Sequence, residues 1–484
     1  MLVSNKLVSY ETYKARKISF GKKVDVFTRS SGDELYNSNF KINKVDTIGW
    51  AFDGGGARGI FEIGVACALA KAGLIPDVVV GTSVGSINAV AVAKGDINHA
   101  IDAWKSIKKD NVYKSRNINL FLKSCKKFLN LVGMAESPTI KSIFDNSPLR
   151  EFIKKVVKPS KLLASKYEPP IEVLIGATNV NTGEEGLFAT KKLFENYNNI
   201  YDEKKGPKIR QLTKDNFEDA IVASTSIPMA FAPVQIENDI YMDGTGNCTP
   251  AKNGVNALFA VNKDMKEGLL FVVLTSPKEP PKEEFINMNS ASLGNIGLKT
   301  ITIGLDNISE LDIRVAQEIT REIERWGSVN LQFNRAIDKF TCTTNCIREK
   351  IEEILRAINL LPEGIQAKQV KQIAQELSLL GDVSIENTDT LAEIVKKYQP
   401  FKNKKKVKII VIRPEKSFGI NTLDFDKIKT HGNKAIRAGY FAALNVLYRE
   451  NIISKEKYDL LMQERPYPVE RLFDEDGRKL SKVV

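Results

Sequence analysis

The sequence predicts an α/β protein whose central sheet is largely parallel. Short apolar runs bounded by glycine and proline alternate with longer segments of helical periodicity, and this alternation starts near residue 46 and returns after residue 405. Helices are expected directly after the first two strands and over Phe425–Leu447. The candidate strands are Thr47–Phe52, Asp77–Val80, Ile171–Asn179, Gly268–Thr275 and Val407–Ile412, with shorter ones at Ala232–Ile236 and Asp239–Met242.

Composition and periodicity divide the chain into five segments. One core is split in two by an insertion, which is expected to be mainly helical because apolar positions recur at helical spacing over 308–358 and 364–398. The segments are an N-terminal extension at 1–46, the first part of the core at 47–277, the insertion at 278–405, the closing strand and helix of the core at 406–450, and a polar C-terminal tail at 451–484.

Composition is typical of a globular protein, with 43% hydrophobic and 27% charged residues in a chain of 484. No apolar run approaches the length that a membrane-spanning helix needs, and the N-terminus has no signal-peptide core. The five cysteines are irregularly spaced, which favours reduced thiols in a cytosol-like compartment. Cys342 and Cys346 share a helical face, but no further ligand nearby indicates zinc. Export by a route independent of a signal peptide stays open.

The net charge of +12 is concentrated in residues 101–166, which carry 15 lysines and arginines against five acidic residues. A basic region of this kind attracts an anionic membrane surface or nucleic acid, although it is also compatible with a solvated face. Within it, residues 117–133 form an apolar helical stripe flanked by lysines. Such a helix can pack on the sheet or lie in a bilayer interface, so peripheral binding to anionic phospholipid is the expectation.

A glycine-rich turn follows the first predicted strand and opens a helix, in the sequence Asp53-Gly54-Gly55-Gly56-Ala57-Arg58-Gly59. Consecutive glycines permit positive φ and bring bare backbone amides to a helix N-terminus, where negative charge is stabilised. This is the arrangement that an oxyanion hole requires. The same glycines also fit a dinucleotide-binding turn, but the second strand has its acidic residue at the wrong end for that function.

Two further motifs carry chemistry. The sequence Gly81-Thr82-Ser83-Val84-Gly85 lies between an apolar strand and a helix of small residues, which is typical of a nucleophile elbow. Farther along, Asp243-Gly244 ends a predicted strand. An Asp-Gly pair is usually a plain turn, but here it also supplies a candidate general base for Ser83.

Together these segments resemble the patatin-like phospholipases of bacterial type. The resemblance rests on the stretches D53GGGARG59, G81TSVG85, A223STSIPMAFAPV234 and D243G244, in this order, and it covers about 47–275 and 407–447. It implies a three-layer patatin-like α/β fold. Thr245 is a departure, since the family usually has Gly or Ala after Asp-Gly.

The family's mechanism implies a Ser–Asp dyad that cleaves fatty acyl esters of membrane glycerophospholipids. In that mechanism Ser83 is the nucleophile and Asp243 the base, while amides around Gly54, Gly55 and Gly56 hold the oxyanion. Arg58 and Gly59 are expected to support the loop, with Arg58 alternatively meeting the lipid phosphate. No metal or other cofactor is required. Family members include storage lipases, secreted toxins and antiviral effectors, so lipid turnover and a regulated effector role both stay open.

Other interpretations stay open as well. The chain has only two histidines, and His431 follows the last strand in the order of a Ser83–Asp243–His431 triad esterase. A dinucleotide-binding oxidoreductase would use the glycine turn, and a basic nucleic-acid-binding protein would use the charge, although no specific nucleic-acid motif is present. An activating factor, if one exists, is expected to act through the insertion or the termini.

Overall fold

The computed structural model describes residues 45–115, 142, 144–156, 163, 169–200, 208–228, 230–278, 303, 306–321, 323, 406–474 and 478–479. The stripe at 117–133, the cysteines 342 and 346 and most of the predicted insertion therefore lie outside the described residues. Two compact units are present, one formed by Met1–Ile313 with Ile409–Val484 and the other by Arg314–Lys408. The segment boundaries given above stay a prediction.

Strands alternate with helices along the described chain, as the sequence predicts. The strands are β1 Thr47–Phe52, β2 Val78–Thr82, β3 Lys114–Ser115, β4 Phe144–Asp145, β5 Glu172–Asn179, β6 Glu185–Ala189, β7 Lys208–Gln211, β8 Val234–Ile236, β9 Asp239–Asp243, β10 Glu267–Val273 and β11 Lys406–Ile412. The helices are α1 Ile60–Lys71, α2 Val84–Ala93, α3 Ile97–Ser106, α4 Ser147–Val156, α5 Lys191–Ile200, α6 Phe217–Ser224, α7 Pro250–Val261, α8 Ile428–Arg449 and α9 Lys455–Gln463. Residues 306–321 are also helical.

Most strands belong to one mixed sheet, in the order β11-β10-β1-β2-β5-β6-β7. The centre is parallel, since β1 pairs in parallel with β10 and β2, and β2 pairs in parallel with β5. All five residues of β2 are buried, which explains its uninterrupted apolar sequence, because both faces of a parallel sheet are covered by helices. The α/β class is therefore confirmed.

The sequence pattern did not reveal β6 and β7. Strand β6 runs antiparallel to β5, and a tight turn joins the two strands. In this turn the Asn179 side chain accepts the backbone amide of Asn181 at 2.9 Å, and Gly183 adopts a φ of 71°. The turn residues were the available signal, because Asn and Gly next to an apolar run are typical of a hairpin.

Helices α1 and α8 cross at very short range on one side of the sheet. A side chain at Gly64 would overlap the carbonyl of Ile436, and one at Gly439 would overlap the carbonyl of Phe61. Glycine at these positions lets the two backbones touch, which holds α1 and the turn before it firmly in place.

The C-terminal residues are docked on the core, where the sequence suggested a polar tail. Helix α9 lies within this segment, and Val469 and Leu472 beyond it are buried. The side chain of Asn98 on α3 binds Val469 twice, accepting its amide at 2.9 Å and donating to its carbonyl at 2.6 Å. Burial of a few apolar side chains and these backbone bonds fix the segment.

Candidate active site

Ser83 lies at the junction of β2 and α2 in a backbone conformation that is unusual for a residue with a side chain. Its φ is 54° and its ψ is −132°, a region whose strain costs about 1–3 kcal/mol. The flanking glycines are required by space, because a side chain at Gly81 would overlap the carbonyl of Gly85, and one at Gly85 would lie 2.5 Å from the carbonyl oxygen of Asp53. This is the geometry of a nucleophile elbow.

Two serines hold this strained conformation. The Ser83 amide donates to Ser224 Oγ at 2.9 Å, and Ser224 Oγ donates in turn to the Gly176 carbonyl at 2.7 Å. On the other side, Ser86 Oγ donates to the Ser83 carbonyl at 2.6 Å. Ser224 belongs to the stretch A223STSIPMAFAPV234, but its role has no local signal in the sequence, because it binds residues far away along the chain.

Strand β5 brings Asp243 next to Ser83. Thr82, the last residue of β2, lies opposite Gly176 on β5, and Asp243, the last residue of β9, lies opposite the next residue, Ala177. Gly244 has no space for a side chain, since its Cβ would lie 2.5 Å from the Gly176 carbonyl oxygen. Strand β2 runs parallel to β5 and β9 antiparallel to it, so the two strands meet end to end along one side of β5, which brings the candidate nucleophile and the candidate base next to each other.

The Asp243 carboxylate is buried and bound on one side only. Its Oδ1 accepts the Thr245 amide at 2.9 Å and also the Thr245 hydroxyl. Burial raises the pKa of Asp243, while hydrogen bonding from Thr245 and from the Ser83 hydroxyl opposes that rise. Oδ2 has no hydrogen-bond partner within the described part of the chain. A buried carboxylate with one free oxygen beside a serine is suited to accept a proton.

The glycine turn lies against both groups. A Cβ at Gly54 would be 3.1 Å from Ser83 Cβ and 2.8 Å from Thr245 Oγ1, so only glycine fits there. The Gly54 amide is bound by the Asp53 carboxylate. Gly55 and Gly56 have φ values of 155° and 56°, and their amides donate to no acceptor in the described residues. These two amides are therefore the candidates for an oxyanion hole. The lack of a side chain at Gly54 leaves room for the side chains of Ser83 and Thr245.

Arg58 and Asp53 are buried at the base of this turn. Burial is the main reason that the pKa of Asp53 rises to about 7, and the nearby Asp306 adds to the rise, while Arg58 and Ser309 oppose it. Arg58 is 7% exposed, which suits support of the turn better than contact with a lipid headgroup. The predicted supporting residue Gly59 fits closely against Val84, and its carbonyl accepts Asn88 Nδ2 at 2.9 Å.

The two histidines lie away from this pair. His431 is on α8, its Nδ1 is 2.7 Å from Thr430 Oγ1, and its ring lies against Gly419. It is not among the groups that act on the pKa of Asp243. His99 is exposed on α3, and its amide is accepted by Asp96 at the helix N-terminus. The described residues therefore bring Ser83 and Asp243 together without a histidine.

A cavity of about 630 Å³ opens at Ser83 and Gly56. Its described lining is mainly apolar near the serine, with Ile87 on α2 and Trp104 on α3, and with Phe231 and Leu423 beside them. A volume in this range accommodates a small ligand or part of a larger one. An apolar cavity that starts at Ser83 suits the hydrocarbon part of a substrate.

Over the described residues, no cluster of three or more His, Cys, Asp or Glu side chains has the arrangement of a metal site. In the same part of the chain, none of the helices is both long enough and apolar enough to cross a bilayer.

The family comparison agrees with the geometry. A family model described as patatin-like phospholipase matches residues 51–251, which include the glycine turn, the elbow and the Asp243 turn. The chain carries a patatin-like phospholipase domain. This domain is that of a lipid acyl hydrolase, and its mostly parallel sheet with covering helices is the expected patatin-like α/β fold.

The structural neighbours of the chain are distant. The crystal structure of VipD from Legionella pneumophila has 13% sequence identity and a TM-score of 0.30, and the match covers 84% of this chain and 67% of VipD. Human GIVD cytosolic phospholipase A2, solved with methyl gamma-linolenyl fluorophosphonate and terbium chloride, has 15% sequence identity and a TM-score of 0.21. This match covers 48% of this chain and 41% of the phospholipase. Because both TM-scores are below 0.5, neither neighbour informs the site. A search of curated proteins finds no significant match.

Proposed function

We propose that the protein is a phospholipase of the A type, which cleaves fatty acyl esters of membrane glycerophospholipids with Ser83 as nucleophile and Asp243 as general base. The observation that carries the proposal is the contact of the Ser83 hydroxyl with a buried carboxylate that has one free oxygen. Both groups lie beside the glycine turn, whose Gly55 and Gly56 amides have no acceptor in the described residues, and Ser83 lies at the start of an apolar cavity.

The chemistry proceeds in two half-reactions. Asp243 accepts the proton of Ser83 as the hydroxyl oxygen attacks the ester carbonyl, and the amides of Gly55 and Gly56 stabilise the negative oxygen of the tetrahedral intermediate. Collapse of the intermediate expels the lysolipid alkoxide, which takes a proton from Asp243. In the second half-reaction Asp243 accepts a proton from water as the water oxygen attacks the acyl-serine. Collapse of this second intermediate breaks the bond between the acyl carbon and Ser83 Oγ, Asp243 returns the proton to Oγ, and the fatty acid is released.

An aspartate with an ordinary pKa near 3.9 is a weak base at neutral pH. Burial favours the neutral form of Asp243 and so makes its carboxylate a stronger base, while Thr245 keeps enough of the ionised form. This balance supports a dyad without histidine.

The decisive experiment compares wild type with Ser83→Ala and Asp243→Asn on mixed phospholipid vesicles, followed by mass spectrometry of lysolipids and fatty acids, with and without cell extract. We expect release of fatty acid by wild type and a fall of at least about 10³-fold in each variant. Ser226→Ala is the matched control for a buried hydroxyl near the site. Full activity in either dyad variant would end the proposal.

We also propose that the protein works on an anionic membrane surface, given the basic excess within residues 101–166. Vesicle sedimentation at increasing fractions of anionic lipid tests this. Binding should rise with anionic lipid and fall with salt, because the attraction is electrostatic. Binding that depends neither on the anionic lipid fraction nor on the salt concentration would contradict the proposal. Duplex DNA in the same assay serves as the control polyanion, and no specific affinity for it is expected.

An activating factor that acts through residues 278–405 is a third proposal. Ser309 Oγ lies 3.5 Å from Asp53 Oδ1 and Asp306 accepts Ser276 Oγ at 3.2 Å, so the start of this segment touches the base of the glycine turn. The vesicle assay with cell extract tests it, since activation by extract that Ser309→Ala abolishes would support the proposal, and equal activity with and without extract would contradict it.

A further inference from the structure

The cavity at Ser83 follows helix α2 along its whole length. The α2 residues that line it are Val84, Ile87, Asn88, Ala91 and Ala93, and Gly95 just beyond the helix lines it too. All of these except Ala93 recur at a spacing of one, three or four residues, which places them on one side of the helix. The cavity therefore runs from the nucleophile to the C-terminal end of α2, about 15 Å for a helix of ten residues.

The docked C-terminal segment, residues 469–474, bounds the far end of the cavity. The amide of Leu472 donates to the Gly95 carbonyl at 3.1 Å. The ring of Phe473 lies directly on Gly95, where a Cβ would be 2.5 Å from the ring, and Gly95 has a φ of 77°. Phe473 also lines the cavity. An aromatic ring from the end of the chain thus closes the side of the cavity that lies farthest from Ser83.

The chemical character of the lining changes at this end. The charged side chains among the described lining residues all belong to the turn after α2, to the first turn of α3 or to residues 469–474; they are Lys94, Asp96, His99, Arg471 and Asp474. A hydrocarbon chain gains free energy from apolar contact and none from contact with charged groups. Beyond Phe473, further methylene groups would therefore add no binding free energy.

We propose that Phe473, seated on Gly95, determines the acyl-chain preference of the enzyme by ending the apolar part of the acyl site. The proposal rests on the proposed function of Ser83. An extended chain advances about 1.2 Å per bond, so a channel of about 15 Å holds about twelve carbons of the acyl group. Longer chains are accepted without further gain in kcat/KM.

The test measures kcat/KM for a series of p-nitrophenyl esters from butyrate to stearate in detergent micelles of fixed composition. For wild type, kcat/KM should rise by up to about fourfold per methylene, as expected for burial of hydrocarbon. The rise should stop at about twelve carbons, and the chain length at which it stops is called the break.

Two variants move this break in opposite directions. Ala91→Phe fills the cavity before its end, at the eighth residue of α2, which should bring the break to about ten carbons by the same geometry. Phe473→Ala opens the far end, which should shift the break to longer chains. Ala438→Phe is the matched control, because Ala438 is a partly buried alanine on α8 outside the cavity, and the profile should equal that of wild type.

The outcomes separate the two proposals. If wild type hydrolyses none of these esters, or Ser83→Ala hydrolyses them equally well, the proposed function fails and the chain-length proposal fails with it. If hydrolysis depends on Ser83 but the break is the same in wild type, Ala91→Phe and Phe473→Ala, only the chain-length proposal is overturned. Should Phe473→Ala not fold, Ala91→Phe alone decides.

Discussion

Thr245 binds one oxygen of Asp243 with both its backbone amide and its hydroxyl, while the other oxygen has no hydrogen-bond partner in the described part of the chain. Thr245 stands where the family usually has Gly or Ala, and its hydroxyl is thus part of the environment of Asp243, the proposed base. It opposes the effect of burial on the pKa of Asp243.

Thr245→Ala removes the hydroxyl bond and should raise the pKa of Asp243 further. Since Asp243 acts as a base only when ionised, the acidic limb of the kcat/KM profile should move to higher pH, and activity below neutral pH should fall most. Thr245→Ser keeps both bonds and should leave the profile in place. A uniform loss of activity at every pH would contradict this role.

Ser224→Ala should affect the backbone conformation of Ser83. The change leaves the Ser83 amide and the Gly176 carbonyl without their partner, which should cost about 1–3 kcal/mol of unfolding free energy and lower kcat. Chemical denaturation and kinetics measure the two effects. Ser226→Ala also removes a buried hydroxyl but should leave kcat within about twofold. Equal kinetics in both variants would exclude a positioning role for Ser224.

Gly56→Ala should abolish the oxyanion site. A Cβ at this position overlaps the Thr422 carbonyl and the φ of 56° is unfavourable, so the turn must shift, and kcat should fall by about 10² or more. Gly183→Ala is the matched control, because its φ of 71° imposes a similar backbone strain while a Cβ there meets nothing within 4 Å. If Gly56→Ala were as active as Gly183→Ala, a role of this turn in holding the oxyanion would be contradicted.

His431→Ala should leave kcat/KM within about twofold of wild type, because the structure places this ring beside Thr430 and Gly419. His99→Ala is the parallel control. Ester hydrolysis at neutral pH checks both. A loss of activity in His431→Ala as large as that in Ser83→Ala would favour the triad and contradict the dyad.

Asp53 makes stability depend on pH. Its pKa rises from an ordinary value of 3.8 to about 7 in the folded chain, so its contribution is fully present below about pH 4 and is lost as pH rises through 7. Asp53→Asn removes this titration. Relative to the variant, wild type should lose up to about 1.4 kcal/mol of unfolding free energy per pH unit in that window. The measurement is chemical denaturation of both proteins between about pH 4 and pH 7. A difference in unfolding free energy between wild type and Asp53→Asn that stays constant over this range would contradict the prediction.

Much of the architecture could be predicted from the sequence because its signals are local. Strands β1, β2, β5, β10 and β11 lie within two residues of their predicted bounds, since a buried parallel strand must be a continuous apolar run. The hairpin strand β6 was missed because a short buried strand in mixed sequence has no clear period.

The sequence by itself determined which groups are available: a serine on a turn that only glycine can flank, a row of glycine amides and an Asp-Gly pair. The tertiary structure decided which of them meet. Pairing of β2 and β9 with adjacent residues of β5 sets Ser83 beside Asp243, and Ser224, Thr245 and Phe473 gain their positions from the same packing. Contacts between residues far apart in the chain depend on strand register and burial, which local periodicity does not encode.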